Sequence, residues 1–566
     1  MTDPAADAAG LADRRRASGR NASLVAVGVL LSRFSGLLRE TVLAGLLGTR
    51  LAADAFKAAL QIPGLLQNIL GEGVLSASFV PVYADQVERR ARAERDGATD
   101  DVDPDVVAGT VATILGLVTA LIVFVGIVAA RPITRVILPF LGDETFDLTV
   151  DLVRIMWAGL GFIVLSAWCL GVLNTHRRFF LSYVAPVVWN AAQVILALIA
   201  WGRGWSDADI ARAAAWGVAI GGVAQFLVQV PVVRRVGPGI RPALAVQMQA
   251  VREIGRRFGP AVLGRGVVQL SAFLDLFLAG LLAAGAIAGL SFAQILYLLP
   301  IGVFAMSVAA ADLPELSREH HSAAKVAARV RTGQERIAFA VVFCAVAFVV
   351  AGKPIVGVLF QRGQFDEDDT MFVWLVLAAY SLGLIGSAAS RLFQNVCFAQ
   401  GDVSGPARLA GARVLIAATI GAVLMLQFER FGVVDGQIER LGDLPAFSLL
   451  PESVRVDDSG PQRLGAVGLA LGSAVAAWIE YGLLRRRVRV ALRSTRPVRD
   501  PAVQLLPAAA AAGIVSGGLA WLLDGWPPIL VAPIAVGAGG IAYVWLAYLR
   551  GSPSAAEALR VARLDR

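Results

Sequence analysis

Arg33, Arg39 and Glu40 interrupt the apolar run LLSRFSGLLRETVLAGLLG at residues 30–48, and further charges follow at Asp54 and Glu72. Placing one arginine or aspartate at the centre of a membrane-spanning helix costs roughly 2.5–3.5 kcal/mol on insertion scales. A set of such charges implies a polar, water-filled interior. Arginine also presents a planar fork that can hold two oxygens of a phosphate or pyrophosphate at once. The chemistry these residue types suit is recognition of an anionic head group inside a membrane.

On a helix, residues seven apart lie within about 20° of one face, so Arg33, Gly36 and Glu40 form one stripe while Arg39 is turned about 120° from Arg33. A plainer alternative pairs Arg33 with Glu40 or Glu72 in a buried bridge. Desolvation makes such bridges poor stabilisers, and Arg39 would still need a partner of its own. Further charges in apolar segments are Arg154, Arg265, Asp275, Arg391 and Arg413. Arg154 and Arg413 lie near segment ends and are expected to snorkel. Arg265 and Asp275 share one segment, and ten helical residues separate them by about 15 Å, so they do not pair directly.

The elements that must carry these residues follow from composition. The chain has 566 residues, 57% hydrophobic and only 17% charged, and a mean hydropathy of +0.67. Apolar runs of about 20 residues recur throughout, each long enough to cross a hydrocarbon core of roughly 30 Å. The expected class is an all-α polytopic membrane protein with about 14 transmembrane helices, near 24–48, 63–84, 106–130, 150–173, 183–202, 211–233, 258–282, 287–311, 338–360, 371–395, 409–428, 464–484, 502–523 and 529–549. Lys and Arg concentrate in the connections on one side, which predicts that both termini are cytoplasmic. The first segment is too long and interrupted for a cleaved signal, so it is expected to stay in the mature protein.

Other classes find little support. The formal charge of +8 resides in loops beside the membrane, which argues against a nucleic-acid partner. Cys169, Cys344 and Cys397 fall in separate spans with no paired spacing, so no disulfide framework is expected. No P-loop, HExxH or nucleophile-elbow motif occurs, and His176, His320 and His321 lack metal-ligand spacing. DVDPD at 101–105 and DEDD at 366–369 are the only acidic clusters of note, and both read first as solvated loop charge.

An internal echo organises the chain. Phe56 precedes Pro63 much as Phe292 precedes Pro300, and Asn174 leads to Pro186 as Asn395 leads to Pro406. An offset of six helices gives a parallel repeat. The expected layout is a tail at 1–23, an N-lobe at 24–235, a C-lobe at 255–490 with an outer loop at 429–463, two further helices at 500–550 and a tail at 551–566, the two six-helix lobes flanking a central cavity. GIVSG at 513–517 and GAGG at 537–540 mark the last two helices as closely packed. Residues 85–105 read as a charged linker.

Taken together, Ser32-Arg33, Gly36, Arg39-Glu40, Asp54-Ala55-Phe56, Pro63, Glu72-Gly73, Ser76 and Phe79-Val80-Pro81 resemble the lipid II flippases of the MurJ/MviN family, within the multidrug, oligosaccharidyl-lipid and polysaccharide exporter superfamily. The specific similarity covers residues 32–84. The resemblance implies a transporter, not an enzyme, that moves lipid II, the undecaprenyl-pyrophosphate-linked peptidoglycan precursor, across the bacterial inner membrane. It implies that Arg33 and Arg39 meet the pyrophosphate, that Asp54 and Glu72 gate or partner them, and that the protein works as a monomer without a cofactor. Two departures stand out: Gln67 and Gln294-Ile295 occupy positions where the family often carries basic or Asp-Arg residues. Arg265 and Arg391 are candidates to restore the charge. Some relatives bind sodium in the second lobe, and Asp275 and Asn395 are the candidates here for a coupled monovalent cation.

Three other readings stay open at this stage. They are an exporter of another polyprenyl-linked glycolipid or a drug, a membrane glycosyltransferase or ligase using Asp366, Glu367, Asp368 and Asp369, and a scaffold that binds lipid without moving it.

Overall fold

A computed structural model describes residues 27–97, 103–306, 308, 322–402, 404–442, 444–491 and 501–564. Its contacts divide the chain into two compact units, residues Met1–Leu47 with Ala55–Phe273, and Gly48–Asp54 with Leu274–Arg566.

The first unit contains α1 (27–47), α2 (Leu51–Leu70) beyond its first turn, α3 (Glu72–Asp96), α4 (Pro104–Val128), α5 (Ala130–Ile137), α6 (Asp143–Thr175), α7 (Phe179–Gly202), α8 (Asp207–Val236) and α9 (Gln249–Ala279) as far as Phe273. Its core joins Leu75, Phe79 and Tyr83 of α3 to Trp168, Cys169 and Val172 of α6, all buried. The expected span at 63–84 lies inside one longer membrane-length stretch, Leu51–Asp96, in which α2 and α3 meet at Gly71. A Cβ at Gly71 would stand 2.1 Å from the Gln67 carbonyl oxygen, so the junction needs glycine. Residues 85–96 are also helical rather than linker. Their charges fall four apart, giving Asp85 with Arg89 at 3.0 Å and Arg90 with Glu94 at 3.1 Å, a spacing that supports a solvated helix.

The second unit begins with the short segment 48–54 and continues from the end of α9 into α10 (Ala286–Pro300), which runs on as a π-helical turn at Ile301–Ala305. Then follow α11 (Ala323–Val350), α12 (Gly352–Phe360), α13 (Glu367–Ser381), α14 (Leu384–Ala399), α15 (Ser404–Phe428), α16 (Glu452–Arg455), α17 (Gly465–Ala491), α18 (Pro501–Leu522), α19 (Pro528–Leu549) and α20 (Pro553–Leu564). Val341, Leu384, Leu392, Phe393 and Tyr481 form its main buried cluster. Against the expected uninterrupted spans at 338–360 and 371–395, the first stops at Val350 and the second bends by 43° between α13 and α14.

The expected close packing of the last two helices is seen directly. A Cβ at Gly539 of α19 would lie 3.1 Å from the Ala512 carbonyl oxygen of α18, so a small residue is needed there. Residues 429–463, expected as an outer loop, carry a three-stranded antiparallel sheet in the order β2-β1-β3, from β1 (Phe431–Val434), β2 (Gln437–Arg440) and β3 (Gln462–Arg463). Asp435 and Gly436 both take positive φ in the two-residue turn, the conformation that matches strand twist in a tight hairpin.

Eleven described helices are long and apolar enough to cross a membrane, or twelve with the bent α13–α14 pair. This is roughly consistent with the expected count of about fourteen.

Candidate functional site

Within the first unit, α1, the α2–α3 junction, α6, α7 and α8 enclose a cavity of about 560 Å³. Asn68, Glu72 and Ser76, spaced four apart across Gly71, present one face to this wall together with Gln67. Arg33 enters from α1. Its side chain is exposed and makes no ion pair among the described residues. Glu72 occupies the first turn of α3, where the helix dipole favours a carboxylate. The remaining wall is uncharged and mixed: Gln225 donates to the Ser166 hydroxyl at 2.9 Å, Ser182 and Tyr183 line the α7 side, and Val29, Ile163, Leu170 and Pro186 supply apolar surface. The cavity therefore offers one arginine and one carboxylate among hydroxyls, amides and apolar side chains, and Arg33 is its cationic group for an anionic ligand.

The structure separates the other charges of α1 from this cavity. Glu40 is buried and pairs with Arg39 through one oxygen and with Lys57 of α2 through the other. Arg39 donates to the Asn190 carbonyl at 3.1 Å, and its guanidinium lies 4.9 Å from the Trp189 ring centre. Asn190 in turn donates to Ser35 at 2.9 Å. The alternative that gave Glu40 to Arg33 is thus corrected: although Arg33 and Glu40 share a stripe, the partners are Arg39, which turns to Asn190 and Trp189 of α7, and Lys57 of α2. Lys57 was missed in the sequence. Placing the second span at 63–84 left it in a connection, whereas α2 already begins at Leu51 and buries it.

Asp54 belongs to the second unit with the rest of segment 48–54. Both its oxygens accept backbone hydrogen bonds at 2.7 Å, from Gly285 and Ala288 at the N-terminus of α10. Nearby, the Thr49 backbone nitrogen donates to Asp369 at 3.3 Å and that of Leu51 to Asp458 at 2.7 Å. Glu429 is buried beside the Ala283 nitrogen at 3.5 Å, and this burial pushes its carboxyl up to about 7.

Further polar groups of the second unit cluster around α15 and α17. Arg413 donates to the fully buried Glu480 at 2.8 Å and to Ser387 at 3.3 Å, while Gln394 donates to the other Glu480 oxygen at 3.1 Å. The expected snorkelling of Arg413 is corrected accordingly, because a buried carboxylate draws it inward. Gln294, one of the noted departures, donates to the Tyr380 hydroxyl at 3.0 Å. Asp275 is exposed and feels the charge of Arg413. Asn395 is partly buried on α14. Arg391 is exposed on α14, and the side chain of Arg265, on α9, lies outside the described residues. No group of three or more His, Cys, Asp or Glu among the described residues could hold a metal ion.

The acidic clusters have structural tasks. Asp366 caps α13 by accepting from the Asp369 nitrogen at 2.9 Å, Glu367 pairs with Lys353 at 2.7 Å, and Asp368 holds the Asp435–Gly436 turn, at 2.6 Å from the Gly436 nitrogen. Asp103 caps α4, and Arg90 lies 3.4 Å from Asp103 and 3.3 Å from Asp105. Asp101 and Val102 lie outside the described residues. With its four carboxylates so engaged, DEDD does not form an open acid–base pair.

Residues 43–435 match the family described as Lipid II flippase MurJ. A curated relative from Rhizobium meliloti (strain 1021), named "Probable lipid II flippase MurJ", is 30% identical over 72% of this chain and 75% of its own length. Among solved structures, "Lipid II flippase MurJ, inward closed conformation" aligns over 93% of this chain and 98% of its own, with a TM-score of 0.72 at 20% identity. An inward-facing multidrug resistance MATE family transporter of the MOP superfamily aligns over 81% of this chain and 96% of its own, with a TM-score of 0.61 at 15% identity. The last two similarities concern the fold.

Proposed function

The chain belongs to the lipid II flippase MurJ family, and on that premise we propose that it carries lipid II from the inner to the outer leaflet of the bacterial cytoplasmic membrane by alternating access. It is a transporter, not an enzyme. The observation that carries the reading to this chain is Arg33, an arginine without an ion-pair partner among the described residues, in a polar cavity of about 560 Å³ within a bundle of membrane-length helices.

Pyrophosphate cannot cross hydrocarbon bare, because an isolated buried charge costs far more than binding can offset. A cavity that substitutes an arginine and neutral hydroxyls for bulk water lowers that cost, while the polyprenyl tail stays in lipid. Arg33 would take one phosphate, with Glu72 opposing it so that release remains possible. Arg39 and Glu40 would act beside this cavity, Asp54 would act as a gate at α10, and Arg265 and Arg391 would add positive charge from later helices. The N-lobe at 24–235 and C-lobe at 255–490, cytoplasmic termini, a monomeric state and a monovalent cation near Asp275 and Asn395 belong to the same proposal.

The test is rescue of a strain depleted of its own lipid II flippase, with outer-leaflet precursor quantified. Restoration by the wild-type chain and not by Arg33→Ala supports the reading. A well-expressed wild type that leaves precursor in the inner leaflet sinks it.

A further inference from the structure

We infer that Lys57 is a positioning residue for head-group binding: it holds Glu40 so that Arg39 can exchange that carboxylate for a phosphate oxygen. The inference rests on the proposed flippase reading and adds a residue to it.

The three groups form a buried cluster of two cations and one carboxylate. Arg39 and Lys57 each engage a different oxygen of Glu40, and the relative exposures of the Lys57 and Glu40 side chains are both 6%. The cluster therefore carries one positive charge in excess, in surroundings that strengthen every electrostatic contact. Arg39 is held in register by neutral groups, Asn190 at 3.1 Å and the ring of Trp189, which is itself pinned by its donation to the Val218 carbonyl at 3.2 Å. Its buried Nε has no hydrogen-bond partner among the described residues. An unused donor on a cation that shares its counter-ion is a position prepared for a second acceptor.

Lys57 decides whether that position can be used. If Arg39 were the only cation on Glu40, turning to a phosphate would strand a bare carboxylate in the interior, which is strongly unfavourable. With Lys57 in place, Glu40 keeps a counter-charge throughout the exchange, and the returning Arg39 displaces the phosphate on release.

The full-length protein in nanodiscs is titrated with farnesyl pyrophosphate as probe, comparing wild type, Lys57→Met, Lys57→Arg, Glu40→Gln and the Glu40→Gln/Lys57→Met double variant, with lipid II flipping in liposomes measured in parallel. Lys57→Met is expected to weaken binding by roughly tenfold, within the range for directly coupled groups, and Lys57→Arg to restore most of it. Glu40→Gln and the double variant are expected to bind alike, because the role assigned to Lys57 acts through the Glu40 carboxylate. Wild-type affinity in Lys57→Met overturns the inference, as does a further loss on going from Glu40→Gln to the double variant. The second comparison decides alone if Lys57→Met does not fold. Should the binding pattern hold while the wild type fails to flip lipid II, the proposed function falls and the role of Lys57 stands.

Discussion

The carboxylate of Asp54 lies 2.7 Å from the backbone nitrogen of Gly285, which stands in the left-handed region at φ 88° just before α10. Its other oxygen accepts from Ala288. A buried carboxylate satisfying two of the four unpaired N–H groups at a helix start is a strong cap. Asp54→Ala is expected to destabilise the protein by about 2 kcal/mol, the upper range for cap removal, and Asp54→Asn by less, read as thermal unfolding in detergent.

Arg33 should behave in the opposite way. Its side chain is exposed and without an ion pair among the described residues, so Arg33→Ala is expected to change stability by no more than about 0.5 kcal/mol. Flipping should fall by about 10- to 100-fold, matching the roughly 1.5–3 kcal/mol of a hydrogen bond to a charged group. Liposome flipping and a melting curve on the same preparation separate the two effects.

Arg413 and Glu480 invite a double-variant cycle. Glu480 is buried, so Arg413→Ala leaves it uncompensated and is expected to cost about 3–5 kcal/mol, while the paired change Arg413→Met/Glu480→Gln should recover most of that loss. Equal melting temperatures for Arg413→Ala and the wild type would refute the structural role assigned to the pair.

Glu429 predicts a pH dependence. Its carboxyl is raised from about 4.5 to about 7 by burial, so between those values the folded protein keeps a proton that the unfolded chain has lost. Stability from this group therefore falls as pH rises through that window and levels off above about 7. Glu429→Gln should flatten this part of the curve, measured as melting temperature from pH 4.5 to 8.

Much of the fold was legible because membrane helices announce themselves by apolar length, and Gly539 against Ala512 shows that small-residue spacing foretold a packing contact. What escaped was decided by pairing. Arg413 looked like a snorkelling side chain until Glu480, 67 residues later, supplied its partner. Lys57 stood in an apolar run whose helix starts earlier than hydropathy alone suggests, since the cost of burying it is offset by Glu40. Residues 85–96 read as linker because polarity outweighed the four-residue charge spacing that makes them helical. Arg33 stood out in the sequence as a charge within an apolar run, but nothing in one helix could tell that Glu40 would turn to Arg39 instead.

The placement of segment 48–54 in the second unit bears on how the protein is made. Asp54 and its donor Ala288 are 234 residues apart, and Thr49 and Asp369 are 320 apart. At translation rates of about 5–20 residues per second, Asp54 waits on the order of 10–50 s after its own synthesis before α10 emerges to meet it. Throughout that interval the nascent chain carries a carboxylate destined for burial with no cap to satisfy, so the insertion machinery must keep the start of α2 in a hydrated setting until the later helices arrive.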